Sequence, residues 1–157
     1  MDEKFLCDCN LGKLAKWLRI LGYDTLYHSG NANRDFLRKA DQEGRIALTR
    51  KRDLRHQRPE GRLIVIKADR VDAQLTEMMD ALSLTPDPSY RMSRCLRCNT
   101  MLEEVAKEAV EGLVPLYVHQ SCTRFQRCAR CGRIFWPGTH PRHIEEALRR
   151  RIPSRRP

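Results

Sequence analysis

No apolar run in this 157-residue chain approaches the roughly 20 residues that a membrane-spanning helix requires, which excludes a helical membrane protein. A secretory pattern is lacking too. Met1-Asp2-Glu3-Lys4 puts acids, not a basic stretch and an apolar core, ahead of the first strand-like segment. With no export pattern, seven cysteines and a basic, charged composition suit a reducing compartment, expected to be the cytoplasm, against the competing readings of two disulfides or four buried thiols. No internal repeat is visible beyond two cysteine pairs, so the chain is not a repeat array.

Those two pairs are the strongest motif present. Cys95-Leu96-Arg97-Cys98 and Cys128-Ala129-Arg130-Cys131 are separated by 29 residues. Two thiolates two residues apart on a tight knuckle share one ion, and two knuckles complete a tetrahedral site suited to Zn²⁺. Each knuckle brings its own turn chemistry: Gly132 follows the second and Asn99 the first, the residue types most tolerant of positive φ. A module this short draws its stability from the metal rather than from a core. The remaining cysteines, Cys7, Cys9 and Cys122, read as small core or free residues.

Charge is unevenly placed. Residues 1–90 hold 16 Lys/Arg against 14 Asp/Glu, whereas residues 91–157 hold 14 against 6, so most of the net +10 lies in the cysteine-bearing part. A basic surface of this kind attracts polyanions, nucleic acid above all, through phosphate contacts that release counterions. Arg124, Phe125, Arg127, Arg130, Arg133, Phe135 and Trp136 interleave cations with aromatics, a pattern suited to RNA. Lys13, Lys16 and Arg19 form a second basic strip, with Trp17 read as packed inside.

Ahead of the cysteines, strand-like runs alternate with helical spacing. Residues 5–8, 25–27, 46–49 and 63–66 read as strands. Between them, Asn10 is placed to cap a helix carrying Leu11, Leu14, Ala15, Leu18 and Leu21, and Gly22 stops it. A second helix over 33–43 turns Phe36, Leu37 and Ala40 inward, and a third over 71–82 turns Leu75, Met78, Met79 and Leu82 to one side. This alternation predicts an α/β fold, a parallel sheet flanked by helices, with ligands collecting at the carboxyl ends of the strands. Thr85-Pro86-Asp87-Pro88-Ser89 makes a linker. The expected organisation is an α/β domain over 1–88, a small zinc ribbon over 89–140 and a basic tail over 141–157.

Acids fall at the predicted strand ends: Asp8 after the first, Asp53 after the third, Asp35 at the start of the second helix. Carboxylates gathered at one rim bind Mg²⁺ or Mn²⁺ and support phosphodiester cleavage by activated water. Structural readings compete. Asp35 suits a helix first turn, and Asp53 suits an ion pair with Arg50 or Arg52. Asp8 differs, because an acid directly after a buried strand is costly without a task or a partner.

Taken together, Phe5-Leu6-Cys7-Asp8, the run Leu11-Gly12-Lys13-Leu14-Ala15-Lys16-Trp17-Leu18-Arg19-Ile20-Leu21-Gly22-Tyr23-Asp24, Gly44-Arg45-Ile46-Ala47-Leu48-Thr49-Arg50, both knuckles and Phe135-Trp136-Pro137-Gly138-Thr139-His140 resemble the Mut-seven C-terminal RNase domain family. The resemblance covers about residues 4–140. It implies a PIN-like nuclease fold with a zinc ribbon, and metal-dependent RNA hydrolysis with acids at Asp8, Asp35 and the segment after Thr49. The expectation is that Asp8 and Asp53 hold Mg²⁺ or Mn²⁺, Asp35 assists and bound water attacks the phosphorus of a single-stranded or structured RNA. One position departs from the family pattern, which usually reads Thr-Arg-Asp-Arg-Asp where this chain reads Thr49-Arg50-Lys51-Arg52-Asp53. At about 5 Å and an effective dielectric near 20, a unit charge and a dication interact by roughly 6 kcal/mol before screening, so an ammonium in place of a carboxylate weakens metal binding. Lys51 then serves a phosphate, or the chain is a non-catalytic RNA-binding protein with a decayed site. A zinc-ribbon adaptor for proteins is the third possibility.

Overall fold

The computed structural model describes residues 2–57, 61–137, 146, 149 and 150. The tail expected over 141–157 lies almost wholly outside them. The chain divides into two compact units, Met1–Asn99 and Thr100–Pro157.

The first unit contains β1 (Lys4–Cys7), α1 (Gly12–Ile20), β2 (Asp24–Tyr27), α2 (Arg34–Gln42), β3 (Ile46–Thr49), β4 (Leu63–Val65) and α3 (Val71–Leu82). Its strands form one parallel sheet in the order β2-β1-β3-β4. Period-two alternation assigns the faces. Leu6 pairs with Leu26 and Ala47, and Ala47 with Leu63, so these four form one transverse row. That row packs against Phe36, Leu37 and Ala40, the apolar side of α2. The alternate residues Phe5, Cys7, Ile46 and Leu48 face the opposite side, which α1 covers while packing on α3. Handedness requires this division. Stepping from β1 out to β2 and then back across β1 to β3 keeps both crossovers right-handed only with α1 and α2 on opposite faces.

The α/β architecture expected from the sequence is the one observed, with local differences. Asn10 does not cap α1: the helix starts after Leu11 with no side-chain cap, and the backbone N–H of Asn10 donates to Asp8 Oδ1 at 2.9 Å. The carboxylate of Asp8 organises that turn instead. Asn33 does cap α2, accepting from the N–H groups of Asp35 and Phe36. A 3₁₀ turn, Arg52–Gln57, connects β3 towards β4 and buries Leu54 in the α2 face. Among the described residues no helix is long and apolar enough to cross a membrane.

The second unit holds a three-stranded antiparallel sheet of β5 (Leu102–Val105), β6 (Phe125–Cys128) and β7 (Ile134–Phe135), with α4 (Leu116–Ser121) inserted between β5 and β6. Its apolar cluster is small, built on Val110, Val114, Val118 and Phe125.

Candidate functional site

In the order β2-β1-β3-β4 the connections leaving β1 and β3 run in opposite directions, which opens a crevice at the carboxyl ends of these two neighbours. Asp8 and Thr49 stand there. Asp8 is 0% exposed, and its carboxylate accepts from three donors: Asn10 N at 2.9 Å, Thr49 Oγ1 at 2.6 Å and Arg50 N at 3.0 Å. The Thr49 hydroxyl in turn accepts from Lys51 N at 3.0 Å. The clasp thus fixes the two strand ends to each other, and it explains how a charge survives at a buried position.

Asp35 and Asp53 are brought together on a neighbouring cleft of about 380 Å³, lined also by Ala32, Asn33, Arg34, Leu54 and Gln57. One wall is the first turn of α2 and the other the 3₁₀ turn after β3. Asp8 is not part of this lining. Among the described residues, no three carboxylates come close enough to share one ion. Lys51 is half-buried, its Nζ donating at 3.1 Å to the carbonyl of Ala32, a residue of the cleft wall. Arg50, considered as a partner for Asp53, pairs with Asp69 instead. Asp35 keeps a surface pair with Arg38 at 3.4 Å, of the kind that contributes little.

The Sγ atoms of Cys95, Cys98, Cys128 and Cys131 lie within 4.8 Å of one another. Regular tetrahedral coordination at a Zn–S distance of about 2.3 Å needs sulfurs about 3.8 Å apart, so this soft donor set fits zinc. None of the seven cysteines forms a disulfide. The knuckles match in backbone: Asn99 N donates to Cys95 O and Gly132 N to Cys128 O, both at 2.8 Å, with φ of 64° and 71° at Asn99 and Gly132.

The first knuckle is also knit to the edge of the parallel sheet. Asn99 Oδ1 accepts from Thr25 N at 2.9 Å, its Nδ2 donates to Asp24 Oδ1 at 2.7 Å, and Arg94 donates to Gly22 O and Asn99 O. Arg19, expected on the RNA strip, lies here instead. It is 8% exposed and donates to the carbonyls of Thr25, Leu96 and Arg97. Burial lowers its pKa despite Cys7, Cys95, Cys98 and Asp24 nearby. For Asp24, burial pulls the carboxyl upward, but hydrogen bonds from Arg45 and Asn99 outweigh it and leave the group below its ordinary range. The buried Cys7 thiol is pushed up by desolvation and then by Asp8, which keeps it protonated and unsuited to nucleophilic work.

Of the other expected RNA contacts, Lys13, Lys16, Arg130 and Arg133 are exposed and Arg127 is half-buried. Two rim residues escaped the sequence reading. Tyr27 ends β2, and His28 continues the ladder beside Asp8 through its N–H to Cys7 O, its ring 5.4 Å from that of Phe36. Their position directly at a strand end, like that of Asp8, was the available signal.

Comparison with known families adds one finding: the model of the Mut7-C RNAse domain matches residues 3–148. No curated protein and no solved structure matches the chain.

Proposed function

We propose that this chain, which belongs to the Mut7-C RNase domain family, is a metal-dependent ribonuclease whose site lies at the carboxyl rim of the parallel sheet. The observation that carries the reading is the cleft that Asp35 and Asp53 both line, together with the Asp8–Thr49 clasp at the ends of β1 and β3. Mg²⁺ and Mn²⁺ are commonly bound by one or two carboxylates, with water and substrate phosphate filling the remaining positions, so Asp35 and Asp53 fit such an ion. When bound, it would supply Lewis acidity and an acidified water. Asp8, sealed behind its three donors, is the positioning acid that holds the ends of β1 and β3 at fixed spacing. Lys13 and Lys16 receive the RNA backbone near the rim, and Arg127, Arg130 and Arg133 receive it on the ribbon. Zinc at the four cysteines is structural. Seven cysteines without a disulfide suit a cytoplasmic setting. The proposed organisation keeps a PIN-like domain over 1–88, a ribbon over 89–140 and a basic tail over 141–157.

One observation favours a second reading. The Lys51 ammonium rests on the wall of the acid-lined cleft, where it opposes a divalent ion. A decayed site would leave an RNA-binding protein without cleavage. Single-stranded RNA cleavage across a Mn²⁺ titration tests both. Wild type is expected to cleave, and Lys51→Asp to lower the Mn²⁺ concentration required by on the order of tenfold. Loss of activity in Lys51→Asp would instead make the ammonium a phosphate-binding group.

A further inference from the structure

Tyr27 is a large aromatic residue left 44% exposed at the last position of β2, on the same rim as the acids. An exposed tyrosine is usually mobile at its tip, but this one is held at both ends. Its backbone is paired in the ladder with Cys7, and its hydroxyl donates to the carbonyl of Cys9 at 3.2 Å. One edge of the ring rests on the start of α1, where a Cβ built on Gly12 would stand 3.5 Å from Cε2. An alanine there would meet the ring at ordinary van der Waals distance. Lys13, exposed, follows Gly12 on the first turn of that helix.

We propose that Tyr27 is a stacking platform for one unpaired nucleobase of the RNA, with Lys13 taking an adjacent phosphate. The assignment rests on the reading of RNA as the substrate. Three features carry it: an aromatic surface open to solvent, a ring already immobilised so that stacking costs little further side-chain entropy, and a cation at the spacing of the next residue on the helix that supports the ring. Every base has a π-face, so the subsite takes any base and selects single-stranded over paired RNA. Because Tyr27 pairs with Cys7, the residue before Asp8, the platform sets which phosphodiester lies at the carboxyl rim.

The test is binding rather than cleavage. Labelled RNA octamers, one intact and one series with a single abasic residue moved along the strand, are titrated into full-length protein. No Mg²⁺, Mn²⁺ or chelator is added, so the cysteine-bound zinc stays in place. Wild type is expected to lose about 5- to 150-fold in affinity when one particular base is removed. Tyr27→Ala should bind the intact octamer as weakly as wild type binds that abasic one, and should lose nothing further on it. Tyr27→Phe and Tyr27→Trp, which keep a ring, should retain the base-dependent affinity. Equal losses for Tyr27→Ala on every octamer, or no loss at all, would overturn the platform while leaving salt-dependent RNA binding, and so the ribonuclease reading, standing. Wild type that binds no RNA would overturn both.

Discussion

Asp8 has no exposed surface, so its charge is tolerable only because Asn10, Thr49 and Arg50 together supply three hydrogen bonds. The hydroxyl of Thr49 does double duty, donating to Asp8 and accepting from Lys51 N. Thr49→Val keeps the shape and removes both, and a hydrogen bond to a charged group is worth about 1.5–3 kcal/mol. We expect a loss of about 2 kcal/mol in urea denaturation, largely recovered in Thr49→Ser; a valine variant as stable as wild type would mean that the clasp contributes nothing. The cost of an acid after a buried strand was legible in the sequence, and the partners that offset it were the part left open. Arg19 was not legible. An arginine on a helix reads as solvated, and the carbonyls of Thr25 and, far along the chain, of Leu96 and Arg97 explain why this one is buried.

At the scale of elements, the first cysteine knuckle acts as an edge cover for the parallel sheet. Thr25 is 0% exposed on the edge strand β2, and its outward N–H finds Asn99 Oδ1 while its carbonyl finds Arg19 Nε. An edge is blunted in this way without another strand. Asn99→Gly separates the two tasks of that residue, because glycine accepts a φ of 64° but supplies neither hydrogen bond. The expected outcome is one zinc per chain by elemental analysis, as in wild type, with the unfolding free energy lowered by about 2 kcal/mol for the stranded N–H of Thr25. Zinc loss with stability intact would show that the side chain serves the metal site alone. Strand Ile46–Thr49 and helix Val71–Leu82 were readable to the residue, since apolar runs and a 3.6-residue period dominate there. The start of α1 was not, because the nearby Asp8 carboxylate competes with Asn10 for the turn. The 3₁₀ turn Arg52–Gln57 carries one buried apolar residue, Leu54, and a single residue has no period.

Over the whole molecule, charge and chemistry are carried by different parts of the sequence. Most of the net +10 falls in residues 91–157, whereas Asp8, Asp35 and Asp53 all lie in the α/β unit. If the basic excess contacts RNA as proposed, affinity falls with salt by about 0.7 in logarithmic slope for each phosphate contact on a single strand. It says nothing about cleavage, which we propose rests on the cleft lined by Asp35 and Asp53. Cleavage and binding are separated by comparing wild type with Asp53→Asn on one single-stranded RNA, measuring cleavage with Mn²⁺ and binding without it. Mn²⁺-dependent cleavage by wild type is expected, with a fall of about 100-fold or more in Asp53→Asn and equal RNA affinity for the two proteins. Undiminished cleavage by Asp53→Asn, or wild type that binds RNA and cleaves it at no concentration of Mn²⁺ or Mg²⁺, would contradict the proposed function.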